Sequence, residues 1–185
     1  MAHTEKYTRP EDFGRTVQNL QTDVQNLQVS ETKVSTVFSY TPNWASVSGT
    51  QPSIGNGSIL GHYSTRGALL WCKVVLTIGT TTTQGDSTWS FSLPFPAVSD
   101  IGDFVGSSLA TDFGVGAYPG TSLIEVSTDA TKMVCYHVDP TDTTIPNRTS
   151  ATQPPGLTWG STDRLIAQIE YAPDWEAVEL SIETG

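Results

Sequence analysis

Three histidines, two cysteines and nineteen acidic residues are the groups in this sequence whose types could carry chemistry. A histidine becomes a general base when a carboxylate orients its ring, and His137 is followed two positions on by Asp139. On an extended chain, however, residues i and i+2 share a face through the pleat alone, so the pair reads as structural. His3 stands in an aperiodic leader and His62 in a turn-to-strand segment, neither with a partner at catalytic spacing. A pair of carboxylates can cleave a glycosidic bond at a separation of about 5 Å or roughly 6.5 to 9.5 Å, which spacing along the chain does not specify. Asp139 and Asp142 flank a turn and could approach a calcium ion, but the alternating oxygen ligands of a calcium loop are missing, and capping backbone amides is the simpler role. The sequence contains no G-x-S-x-G, H-E-x-x-H, C-x-x-C, Walker or dinucleotide fingerprint. No catalytic, cofactor-binding or metal-binding residue is therefore assigned, and the expectation is a protein that binds and assembles rather than turns over a substrate.

Cys72 and Cys135 lie within apolar, strand-like runs. A disulfide between them would require Cα atoms within about 7 Å; two reduced thiols acting as small core hydrophobes is the reading preferred here. A formal charge of −10 with nine scattered Lys and Arg argues against a nucleic-acid face. No apolar run approaches the roughly 20 residues needed to cross a bilayer, and residues 1–12 lack the apolar core of a signal peptide.

The elements that would position these groups differ between the two ends of the chain. Phe13, Val17, Leu20, Val24 and Leu27 recur at spacings of four and three, and Val-Gln-Asn-Leu-Gln occurs twice in heptad register. This is the a/d seam of a coiled coil over residues 13–33. A helix packed on its own domain normally carries a wider apolar face, so so thin a seam calls for other copies of itself. At about 15 residues and 1.5 Å per residue the helix is some 25 Å long and marginal alone, so association would also draw on the following domain. The heptads leave dimers and trimers both open. Residues 1–12 read as a docking leader for another protein or as a frayed end.

From Ser35 the period becomes two. Trp89-Ser-Phe91-Ser-Leu93 ends at Pro94 and predicts one buried and one wet face. Lys132–Val138 and Arg164–Tyr171 alternate likewise, the latter with Leu165, Ala167, Ile169 and Tyr171 on one side. Ala68–Ile78 is apolar on both faces, which fits a subunit interface as well as a core. Turn residues at Gly55-Asn56-Gly57, Gln84-Gly85-Asp86, Pro119-Gly120 and Pro154-Pro155-Gly156 separate the runs. The predicted fold is mainly β, an antiparallel sandwich of jelly-roll type over residues 34–172, with an acidic tail at 173–185. Trp44, Trp71, Trp89 and Trp159 are expected in the core or an interface. Two stretches read as surface loops: Gly114–Gly120 with Tyr118, and Asp139–Thr158, which holds four prolines together with Asn147 and Arg148. Stiff, hydroxyl-rich loops of this kind can present hydrogen-bonding groups to a sugar, or can simply connect strands.

Several patches are familiar together: Tyr40-Thr-Pro42-Asn-Trp44, Gly55-Asn-Gly-Ser-Ile-Leu-Gly61-His62-Tyr63, the strand through Trp71, Phe91-Ser-Leu-Pro94, and Trp159-Gly-Ser-Thr-Asp163-Arg-Leu165 running to Tyr171. The set resembles small virion appendage proteins of tailed bacteriophages, the minor tail proteins or head fibres, over about residues 13 to 171. The resemblance implies a short coiled coil joined to a trimeric jelly-roll head similar to the tumour necrosis factor family. It also implies a homotrimer on the phage tail or capsid, assembled in the bacterial host cytoplasm, docked to other virion proteins through the leader, and facing a host-surface carbohydrate or a protein. Capsid head fibre or decoration protein is the alternative within the same architecture. The acidic end, with Trp175, departs from the pattern and would pack on a neighbour or fray.

Overall fold

The structure, a computed structural model, describes residues 36–138, 146–150 and 157–176. The leader, the heptad residues Phe13, Val17, Leu20, Val24 and Leu27, the acidic pair Asp139 and Asp142, and residues 177–185 lie outside the described residues.

Among the described residues eleven strands form: β1 (Phe38–Tyr40), β2 (Trp44–Ser46), β3 (Ser58–Arg66), β4 (Leu69–Thr77), β5 (Trp89–Ser92), β6 (Phe104–Val105), β7 (Ser107–Asp112), β8 (Gly116–Ile124), β9 (Lys132–Val138), β10 (Pro146–Arg148) and β11 (Arg164–Tyr171). A one-turn helix α1 (Val126–Asp129) joins β8 to β9. The expectation of a mainly antiparallel β protein is met. The pairing, however, follows one continuous path, β1-β3-β4-β11-β7-β8-β9-β5-β2, with β10 added to β9 and β6 to β8. It does not divide into the two separate sheets of the sandwich expectation, and β3–β4 and β7–β8–β9 are consecutive antiparallel neighbours.

The sheet curls because its two ends are only three residues apart in sequence. Residues 41–43 link β1, one edge, to β2, the other. Ser92 N–H of β5 donates to Asn43 O at 3.0 Å. Asn43 N–H returns a bond to Ser92 Oγ at 2.8 Å, and the Tyr40 hydroxyl reaches Ser92 O at 3.2 Å. The ring of Tyr40 lies where a side chain on Gly61 would have to be, so the glycine makes room for the closing contact.

Inside the curl, every second residue of β4 and β11 is buried: Leu70, Cys72, Val74 and Leu76 on one, Leu165, Ala167, Ile169 and Tyr171 on the other. Their in-register pairing, Cys72 opposite Ile169 and Val74 opposite Ala167, makes the centre of the core. Trp44, Trp89 and Trp159 fill one region, with ring centroids 4.9 and 5.0 Å apart along the series. Trp89 Nε1–H donates to Gln84 O at 2.7 Å and Trp159 Nε1–H to Ser150 O at 3.0 Å, so both indoles are buried with their donor satisfied. Cys72 and Cys135 are free, buried thiols that burial pushes up to about 11 and about 12.

Two local expectations are corrected. Ser90, predicted to be on a wet face of β5, is only 4% exposed, because β2 and β9 flank it on both sides in the sheet. Residues 116–120 are the first half of β8, not a loop, so Pro119-Gly120 is no turn. Pro119 is tolerated one residue outside the pairing of β8 with β9, which begins at Gly120. In the described part of the tail, Asp174 N–H donates to Pro96 O at 2.8 Å, and Trp175 packs 5.1 Å from Phe95 while remaining 44% exposed.

Candidate interaction face

The water side of the curled sheet carries the pattern that the core side explains. Residues alternating with the buried ones must point outwards. On β3, β4, β11, β7 and β8 the register then aligns Leu60 with Val75, Val75 with Ile166, Ile166 with Leu109, and Leu109 with Pro119. Five apolar side chains thus stand in one row across five adjacent strands. Leu60 is 56% exposed, Pro119 is exposed, and Val75, Ile166 and Leu109 are half-buried by their neighbours.

Polar rows border it. Ser58, Thr77, Arg164, Thr111 and Ala117 align on one side, and His62, Lys73, Gln168 and Ser107 on the other. Beyond the second row Trp71 pairs with Glu170 across β4 and β11. The Arg66 guanidinium lies 5.4 Å from the Trp71 ring centroid and 4.0 Å from the Glu170 carboxylate. With Gln168, Ser107 and Gly106 these groups line an open groove of about 370 Å³. The groove exists because β7 leaves β11 after the Ser107–Gln168 pair, while β4 continues alongside β11 to Tyr171. Gln168 Nε2–H holds Ser107 Oγ at 3.1 Å, which sets the groove's polar floor. Of Trp44, Trp71, Trp89 and Trp159, Trp71 is the one that faces this water side.

The residues singled out in sequence fall elsewhere. Tyr118 sits within β8 with its ring packed against the core, opposite Ala110. Asn147 and Arg148 form part of β10, paired to His137 and Tyr136. The structure does not bring these three together with the groove. His137 is fully buried, its Nδ1 2.6 Å from Thr149 Oγ1, and burial pushes the imidazole down to about 4. Such a ring is neutral at pH 7 and shut off from any substrate in solution. Sequence reading missed the outward row because its members are widely separated in the chain; the available signal was the apolar character of both faces of β4.

Fold and face define a class: an antiparallel β module, one curled sheet whose water side carries an apolar row between more polar ones. Among the described residues no three His, Cys, Asp or Glu side chains gather as they would around a metal, and no helix is long and apolar enough to cross a membrane. No family model matches the chain, and no solved structure matches it. It is similar to the Mu-like prophage FluMu defective tail fiber protein of Haemophilus influenzae, 31% identical over 121 residues. The matched part is 64% of this chain and 18% of the relative, so the chain spans less than a fifth of the relative's length.

Proposed function

We propose that this chain is a structural component of a bacteriophage tail fibre or tail tip. In this reading it is a homotrimer, non-enzymatic, docked through residues 1–12 to another virion protein and presenting its β head to a host-surface glycan or a protein. The observation that carries this reading is the 31% identity over 121 residues to a protein named as a tail fibre. Three heads acting together give avidity from individually weak contacts. The homotrimer and the coiled-coil stalk belong to this proposal. The test is to locate the chain in an image of the whole particle. Density on the tail supports the reading, density on the capsid moves the chain to the head-fibre alternative, and absence from the particle overturns both.

Carbohydrate as the ligand class is favoured by one observation, the groove where Trp71, Arg66, Glu170 and Gln168 converge. An indole offers a flat apolar face to a sugar ring while carboxylate, guanidinium and amide serve its hydroxyls. Saturable binding to one member of a cell-wall saccharide panel, lost in Trp71→Ala, supports this; equal binding by that variant removes the groove from the account. Turnover of any saccharide would instead restore the enzyme class.

A further inference from the structure

We infer that the groove at Trp71 is one end of a longer trough, which holds a linear polysaccharide along several consecutive sugars and not by a single terminal one. The inference rests on the carbohydrate reading of that groove and gives its ligand a length and a direction. Register sets the floor of the trough. Trp71 stands opposite Glu170, and Val105, which lines the same groove, stands opposite Leu123. From Leu123 the row continues to Val134, Ser90 and Ala45 on β9, β5 and β2. Hollows open along it. The groove of about 370 Å³ meets at Val105 a second hollow of about 330 Å³, walled by Thr121 and Tyr136. Val134, the partner of Leu123, lines a third of about 170 Å³ together with Glu125, Thr128 and Lys132 around α1. The path from β4 to β2 by way of β11, β6, β8, β9 and β5 has six strand spacings of about 4.8 Å, or about 29 Å in all.

Chemistry identifies the occupant. The trough runs across the strands and not along one of them. β4, β8, β9 and β5 are each paired on both sides, so their main-chain N–H and C=O groups are used in the ladders. A peptide laid along the trough would find no main chain to pair with, which is how extended peptides are ordinarily held by sheets. What the trough does offer is side chains of two kinds. Trp71 and Tyr136 present flat rings with Val105 and Leu123 between them, while Glu170, Gln168, Ser107 and Thr121 present hydrogen-bonding groups alongside. A sugar polymer repeats the complement of both at each ring, an apolar face and a rim of hydroxyls. On the walls Arg66 lies 4.0 Å from Glu170 and Lys132 2.8 Å from Asp129, and the Tyr136 hydroxyl donates to Glu125 at 2.9 Å. With Lys73, opposite Gln168, and Arg148, opposite Tyr136, four basic residues meet three acidic ones along the path. So even a balance gives no field that would gather a polyanion, and the occupant is a polysaccharide of low charge density.

The test uses the full chain on an array of purified bacterial surface polysaccharides, neutral and anionic, each cut to graded lengths from a single sugar upward. The expected result is affinity for a neutral member that rises at least about tenfold from the shortest fragments to those long enough to reach Tyr136, the worth of a second aromatic contact. Tyr136→Ala should remove that gain and leave the short fragments bound as before, whereas Trp71→Ala should weaken short and long alike. Val105→Arg, at a position 66% exposed and therefore safe for folding, sets a long side chain across the middle and should also abolish the gain; circular dichroism verifies that each variant is folded. Affinity that does not depend on length, or long fragments held equally well by folded Val105→Arg and Tyr136→Ala, overturns the trough and leaves the Trp71 groove as a site for one sugar. Tightest binding by the anionic members overturns the assignment of low charge density. Failure of every saccharide to bind at any length overturns the inference and the carbohydrate reading together.

Discussion

At the residue scale, His137 illustrates how position overrides chemical type. Its ring is 0% exposed, opposite Gly120 in the pairing of β8 and β9, and burial depresses its pKa to about 4 against about 6.5 in an open chain. The unfolded chain therefore takes up a proton that the folded chain refuses. The associated stability is complete above pH 6.5 and is lost as pH falls from about 6.5 towards 4, to a total of about 3 kcal/mol. Urea midpoints measured at pH 7.5 and pH 5 should show this loss, and His137→Gln should flatten it; an equal slope in that variant would assign the effect to another group. Gly61 makes a second prediction. A methyl at this position meets the Tyr40 ring, whose hydroxyl joins Cys72 Sγ and Ser92 O at 3.2 Å where the sheet edges come together. Gly61→Ala should cost about 1–3 kcal/mol by denaturant melt, the usual effect of overpacking. Tyr40→Phe, which keeps the ring, should cost only the hydrogen bond, about 1 kcal/mol.

At the scale of elements, β11 is the keystone. It pairs with β4 over eight residues on one side and with β7 over five on the other, joining the chain's last described strand to strands that begin at Leu69 and at Ser107. Its contribution is long-range, so the loss falls on the whole sheet. Ile169→Ala should lower stability by about 2–5 kcal/mol in a single cooperative transition. Trp89→Ala should cost about 3–5 kcal/mol, since Trp89 contacts both Trp44 and Trp159. Period-two alternation made β9 and β11 legible to the residue, Lys132–Val138 and Arg164–Tyr171, because one face of each is buried and the pleat repeats every two. The same rule failed at β5 and β8. Ser90 is polar yet buried between two strands, and Pro119-Gly120, a turn by composition, is strand by pairing. Turn propensity is a local preference of the order of 1 kcal/mol, and two strands' worth of ladder outweighs it.

At the scale of the whole molecule, the water-side face belongs to no single element. The thin seam of Val17, Leu20, Val24 and Leu27 predicts that Leu20→Asp/Leu27→Asp lowers the sedimenting mass of the full chain; an unchanged mass would count against the stalk. The sequence by itself determined the composition of the head as antiparallel β, the heptad pattern before it, the charge of −10 and the most regular strand boundaries, because each of these is set by neighbours within a few residues. Only the tertiary structure decided that one curled sheet forms, that Trp44, Trp89 and Trp159 turn inwards while Trp71 faces water, and that Leu60, Val75, Ile166, Leu109 and Pro119 fall into line. A one-residue slip in any strand would send its side chains to the opposite face. The face is therefore a property of register, and register is fixed by pairings between residues as far apart as positions 75 and 166.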